Sequence, residues 1–173
     1  MMDGMAEPTS GRTLVLLRHA KSDWSGGEPD VRRPLAERGR RQAPEAGRWL
    51  ASNVGGIDLA VVSPATRARS TWDLVAAELE APPRVRVDER VYAADEEELL
   101  EVVRGLDADL GVVVLVAHNP GLEDLAAELV GEWVPMKTSA LTVLTVTGSW
   151  ADAGPEHATL RASGRPPVSH DVV

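Results

Sequence analysis

The side chains with the most chemical capacity stand in three short stretches. Leu14, Val15, Leu16 and Leu17 run without interruption into Arg18 and His19. Ser63-Pro64-Ala65-Thr66 leads to Arg67. A second apolar run, Val112 to Val116, ends at Ala117 and His118, with Asn119-Pro120-Gly121 behind it. Arginine presents a fixed fork of donors that matches phosphate oxygens, and histidine can act as a nucleophile near neutral pH. A neutral imidazole attacks phosphorus when its other ring nitrogen is held by a hydrogen-bond acceptor. Two guanidinium groups and two imidazoles, gathered beside helix amino ends, would make a site for a dianionic phosphoryl group. Transfer there would depend on positioning and on stabilising charge over the equatorial oxygens. Each residue taken alone also fits a polar loop end or a solvated helix face.

The elements that must position them can be read from apolar spacing. Continuous apolar runs suit strands buried on both faces, as in a parallel sheet, and such sheets bind ligands beyond their carboxyl ends. The pattern predicts strands over 13–17, 58–62, 84–87 and 111–117, with two more over 140–146 and 157–162. Helices are predicted over 35–51, 64–80 and 96–106, and from Pro120 to the residue before Gly131. Gly39 and Pro44 count against the first of these. Ser63 fits an N-cap with Pro64 at the first helical position, and Asn119-Pro120 repeats that arrangement. Arg67 then falls in a first turn, where the positive helix end disfavours a cation unless an anion is held there. Asp95 and Glu98 match a capping box. Loops cover 22–34, 88–95 and 132–139. In a parallel sheet the junctions carrying Arg18 and His19, Arg67, and His118 share one edge.

Length and composition bound the class. A chain of 173 residues suits one domain with a substantial core. The expected division is a flexible amino terminus over 1–12, a single domain over 13–163 and a flexible tail over 164–173. Hydrophobic residues make up 43% and charged residues 26%, ordinary for a globular domain. The formal net charge of −9 counts against nucleic acid or an anionic membrane as a partner, while leaving room for a positive pocket. There is no cysteine, which excludes disulfides, thiolate metal sites and a cysteine nucleophile. No apolar run reaches the length of a membrane span, and residues 1–13 lack a signal-peptide core, so the cytoplasm is the expected compartment. His157 and His170 stand outside any motif.

Leu16-Leu17-Arg18-His19-Ala20-Lys21-Ser22-Asp23-Trp24 resembles the Arg-His-Gly/Ala signature of the histidine phosphatase superfamily, also called the phosphoglycerate mutase-like superfamily. Ser63 to Thr71 resembles its second phosphate-binding segment, and Val116-Ala117-His118-Asn119-Pro120 its second-histidine segment. Leu35 through Gln42-Ala43 resembles the helix between them. The Arg-His-Ala-Lys-Ser start and the His-Asn-Pro turn look most like the SixA branch of phosphohistidine phosphatases. The match spans about residues 13–147, and three motifs in the family's order make it specific.

The resemblance implies a three-layer α/β/α sandwich with a mostly parallel central sheet. It implies that His19 attacks the phosphoryl group, that Arg18, Arg67 and His118 hold it, and that water then hydrolyses phospho-His19, with no metal or organic cofactor. Asp88-Glu89-Arg90-Val91-Tyr92 resembles the Asn-Glu-Arg-x-Tyr stretch in which mutases carry their acid. Glu89 is thus the expected general acid and Asp88 its alternative, although imidazole leaves more readily than alkoxide and asks less of an acid. Ser25 stands where mutases have an Asn after the Trp, so its hydroxyl is the expected stand-in for an amide on phosphate; Lys21 replaces their usual Glu. The family's mutases are longer, with segments that close over a bound intermediate, so the shorter chain favours a phosphatase. The expected partner is a phosphohistidine-bearing protein or a phosphorylated small molecule. The alternatives are a phosphomonoesterase for sugar or nucleotide phosphates and a phosphate-binding module without turnover. His19 and His118 beside cations, without a carboxylate motif, make a poor dication site. Oligomeric state stays open.

Overall fold

The computed structural model describes residues 11–167. Strand β1 (Gly11–Arg18) leads to helix α1 (Glu37–Asn53), and β2 (Leu59–Val62) to α2 (Thr66–Ala76). Strand β3 (Arg84–Val87) precedes α3 (Glu96–Arg104), and β4 (Val112–Ala117) precedes α4 (Gly121–Val130). Strands β5 (Leu141–Thr147) and β6 (Ala158–Gly164) complete a sheet in the order β3-β2-β4-β1-β5-β6. β3, β2, β4 and β1 pair in parallel, and β5 runs antiparallel to both β1 and β6. The architecture is the expected three-layer, mostly parallel sandwich.

The alternation of side chains along each strand divides the core between the two faces. Leu14, Leu16, Leu115 and Ala117 pack with Leu99, Leu125, Met136 and Trp150 on the α3–α4 side. Val15, Leu17, Val62 and Val116 pack with Ala46, Leu50, Trp72 and Val75 on the α1–α2 side. Runs such as Leu14 to Leu17 are apolar at every position because both faces are covered. Among the described residues no helix is long and apolar enough to cross a membrane.

Several element ends differ from the sequence expectation. β1 starts two residues early, because Gly11 pairs with Thr147 and Arg12 with Val146 on the long β5. Those two residues therefore belong to the domain, as does Gly164 in β6. Arg165, Pro166 and Pro167 of the expected tail are also described, and the rest of the expected terminal segments, 1–10 and 168–173 with His170, lies outside the described residues. α1 runs through Gly39 and Pro44 because Ala43, Ala46, Gly47 and Leu50 are buried on one face. α2 begins at Thr66, since Ala65 is still extended and Ser63 is not the N-cap. Asp95 and Glu98 form the expected capping box: the Asp95 carboxylate accepts from Glu98 N at 2.8 Å and Glu98 accepts from Asp95 N at 2.9 Å.

Register aligns the strand ends that matter. Arg18 pairs with Ala117, and Val62 pairs with Val116. Just beyond, His19 N donates to Ala117 O at 3.2 Å and Ser63 N donates to Val116 O at 3.1 Å. The loop leaving β1 is pinned by α1. Lys21 N donates to Gln42 Oε1 at 2.9 Å, and Ala36 N donates to Lys21 O at 2.9 Å. The approach is close enough that a Cβ on Gly39 would stand 2.1 Å from Lys21 O.

Candidate active site

His19 and His118 leave adjacent strands side by side, with ring centroids 5.1 Å apart. They share a cleft of about 280 Å³ with Arg18, Arg67, Arg33 and Trp24. A larger cleft of about 470 Å³ lies between Gly55–Asp58 and Glu78–Ala81; it holds carboxylates and neither histidine nor arginine.

His19 is buried, and its Nδ1 lies 2.8 Å from Ala20 O. A carbonyl oxygen only accepts, so Nδ1 carries the proton and Nε2 keeps its lone pair. The carbonyl is itself held in place. Ala20 N donates to Thr71 Oγ1 at 2.9 Å, and that hydroxyl donates to Arg67 O at 2.7 Å. Burial pushes the His19 pKa down to about 3, with the Ala20 carbonyl opposing and His118, Arg67 and Arg18 adding to the fall. The ring is therefore neutral at physiological pH, as a nucleophile requires.

His118 Nε2 lies 2.7 Å from Ser63 Oγ, while its Nδ1 is buried with no partner among the described residues. Burial and then Arg67 push its pKa down to about 4, against the pull of Asp30. The Tyr92 ring meets it edge-on at 5.7 Å. Arg18 donates through Nη1 to Met136 O at 3.1 Å; burial lowers its pKa, with Glu123 opposing. Arg67 is 6% exposed. It donates to Asp30 O at 2.7 Å and to Asp30 Oδ2 at 3.1 Å. The Nε of Arg18 and that of Arg67 are buried without a partner among the described residues.

Sequence reasoning missed the role of Asp30 altogether. Its carboxylate also accepts from Tyr92 Oη at 2.6 Å and Arg33 Nη2 at 2.9 Å. The Tyr92 hydrogen bond, followed by Arg67 and Arg33, holds its pKa below the usual carboxylate range, so it is ionised. Arg33 was missed as well. It is 8% exposed and donates to Ser22 Oγ at 2.6 Å. One signal was available: an acid and a base three residues apart, between Pro29 and Pro34.

Two expected site residues do not reach the cleft. Ser25 is exposed, and both its hydroxyl and its N–H are taken by Asp23 Oδ1 at 2.7 and 2.9 Å. Glu89 sits in a 3-10 turn, Glu89–Val91, with an exposed side chain that is not among the cleft-lining groups. Its alternative, Asp88, is buried but committed elsewhere. It accepts from Arg90 Nη2 at 2.7 Å, Arg90 Nε at 3.0 Å and Arg86 Nη2 at 3.3 Å. These bonds, those from Arg90 foremost, keep it ionised and below the ordinary carboxylate pKa. Among the described residues no group of three or more His, Asp or Glu side chains is disposed to hold a metal ion.

A parallel α/β sheet with imidazole and guanidinium groups on one carboxyl edge defines a phosphoryl-handling class of domain. The family model described as the histidine phosphatase superfamily, branch 1, matches residues 14–97. An uncharacterized protein of Mycobacterium tuberculosis is 36% identical over 157 residues, covering 83% of this chain and 96% of the relative. The Nakamurella multipartitia protein assigned as phosphohistidine phosphatase SixA superposes with a TM-score of 0.82 at 29% identity, over 94% of this chain and 100% of that one. The Agrobacterium tumefaciens protein assigned likewise gives 0.77 at 27% identity, over 90% and 98%. The chain belongs to the histidine phosphatase superfamily, and its structural neighbours include proteins assigned to the SixA type.

Proposed function

We propose that the protein is a metal-independent phosphatase that acts through a phosphorylated His19, with phosphohistidine on a protein as its substrate class. The observation that carries this reading is the Nδ1–H donation to Ala20 O, which leaves Nε2 of a neutral, buried ring as a free lone pair. In this reading Nε2 attacks phosphorus. The bond from phosphorus to the substrate's imidazole nitrogen breaks, and that nitrogen keeps the electron pair and takes a proton from water. Water next attacks phospho-His19, the Nε2–P bond breaks with its electron pair returning to Nε2, and inorganic phosphate leaves, the attacking water's proton neutralising the hydroxide left by the first step. Arg18, Arg67 and His118 hold the phosphoryl oxygens while charge develops.

The choice of substrate rests on what surrounds the cleft. Asp30 and Asp88 are held ionised by their partners, and Glu89 is turned to solvent. None of them is disposed to deliver a proton to an alkoxide, so a leaving group that departs with little help is favoured, and imidazole is one. Metal independence rests on charge: the guanidinium groups of Arg18, Arg33 and Arg67, which line the cleft beside the two neutral imidazoles, repel a dication. The cytoplasm is the proposed place of action, since a chain without cysteine has no disulfide that would call for an oxidising compartment.

The test uses a protein phosphorylated on histidine with labelled phosphate. The wild type is expected to release phosphate through an acid-labile phosphoenzyme, with no change on adding a chelator. His19→Ala is expected to form no phosphoenzyme and to lose at least about 1,000-fold in turnover while keeping its circular dichroism. Substantial turnover by His19→Ala would overturn the nucleophile assignment, and loss of activity with the chelator would overturn metal independence.

A further inference from the structure

Trp24 is the largest apolar side chain on the cleft, and it is 71% exposed. Leaving an indole in water is costly, and here it is held there. The Arg33 guanidinium lies 3.5 Å from the ring centroid. Arg33 cannot follow the ring away, because Ser22 Oγ and Asp30 Oδ1 fix its terminal nitrogens. One face of the indole is thus backed by a planar, immobile cation. Asp30 also binds Arg67, so the indole is tied through two links to a guanidinium beside His19 and His118. The other cleft-lining groups used in the mechanism are cationic or imidazole and suit an oxyanion; they give little purchase to whatever the phosphoryl group is attached to.

We propose that Trp24 is a specificity-determining residue whose Arg33-backed indole is a stacking platform for a planar, ring-shaped leaving group. The proposal rests on the reading of the cleft as a phosphoryl site and narrows its substrates. An imidazole or an aryl ring stacks offset on an indole; a short alkyl chain does not. Stacking is indifferent to hydrogen-bonding pattern, so the platform selects ring shape rather than one particular ring.

Non-hydrolysable phosphonates separate this platform from catalysis. Calorimetry would compare phenylphosphonate and methylphosphonate on the wild type, Trp24→Ala and Trp24→Phe. The wild type is expected to prefer the phenyl compound by about tenfold, the size of an aromatic pair. Trp24→Phe is expected to keep most of that preference, and Trp24→Ala to bring the ratio close to one. An unchanged ratio in Trp24→Ala would overturn the proposal, and so would an equal weakening of both ligands, which would make Trp24 a prop for Arg33. If the wild type binds neither phosphonate, the phosphoryl reading fails and the platform with it. If both bind as expected but His19→Ala still turns over, the platform stands and the nucleophile assignment falls.

Discussion

Arg67 is an electrostatic problem before it is a catalytic device. A guanidinium that is 6% exposed needs a counter-charge, and Asp30 supplies one through its carboxylate and its carbonyl together. The same bonds fix the fork while leaving Nε without a partner among the described residues. Fixing it in advance is what makes such a group worth more to a transition state than a mobile cation would be. Arg67→Ala and His118→Ala are therefore each expected to lower kcat by about 100-fold or more in steady-state hydrolysis of an aryl phosphate. Arg67→Lys should recover little, because a lysine cannot meet Asp30 through two nitrogens. A loss under tenfold in either alanine variant would remove that residue from the phosphoryl grip. Arg18, His19, Arg67 and His118 were legible in the sequence because each follows an apolar run or a strand-to-helix junction. Asp30 and Arg33 were not, since nothing in a charged loop distinguishes Arg33 from Arg32 until tertiary contacts choose between them. Ser63 fits a cap by sequence because Ser-Pro is a common helix start; in the structure its hydroxyl lies beside His118.

At the scale of elements, β1, β4 and β2 could be read from their apolar runs, and their shared carboxyl edge followed from parallel pairing. What the periodicity could not supply was the packing that lets a helix hold the loop after β1. Gly39 counted against a helix on propensity, yet the packing of α1 depends on it. A methyl group there would collide with the Lys21 carbonyl, a backbone atom with no rotamer to escape into. Gly39→Ala should gain up to about 1 kcal/mol of helix propensity and lose about 1–3 kcal/mol to overpacking. The contact is with rigid backbone, which puts the loss toward the upper end; a net loss of about 1–2 kcal/mol lowers the melting temperature by roughly 2–8 °C. Because the same loop leads back to the Ala20 carbonyl that fixes the His19 tautomer, kcat should fall as well. Calorimetry and hydrolysis rates on one preparation would check both. An unchanged or raised melting temperature would mean that α1 does not clamp this loop.

For the whole molecule, a net charge of −9 conceals a cationic hollow, which composition could permit but not locate. That hollow makes stability depend on pH in a definable window. His19 and His118 are neutral when folded, with pKa values pushed down to about 3 and about 4. Unfolded, each would titrate near its ordinary value of about 6.5. Below that value the unfolded chain takes up protons that the folded chain refuses, so stability falls with acidification and rises with pH. Between pH 7 and pH 5 each ring is expected to cost about 2 kcal/mol, or about 4 kcal/mol for the pair. Asp30 and Asp88 act lower down. Their folded pKa values lie below those of ordinary carboxylates, so the stability they supply is lost only as pH drops below about 4. The interval from pH 7 to pH 5 therefore isolates the histidines from these two acids. Thermal unfolding followed by circular dichroism should show a melting temperature lower by roughly 10 °C at pH 5 than at pH 7. His19→Gln should remove about half of that difference while leaving the acids' loss below pH 4 in place. A melting temperature that stays level from pH 7 to pH 5 would mean that the two rings are not buried in their neutral forms, and the lone pair on which the proposed chemistry depends would lose its physical basis.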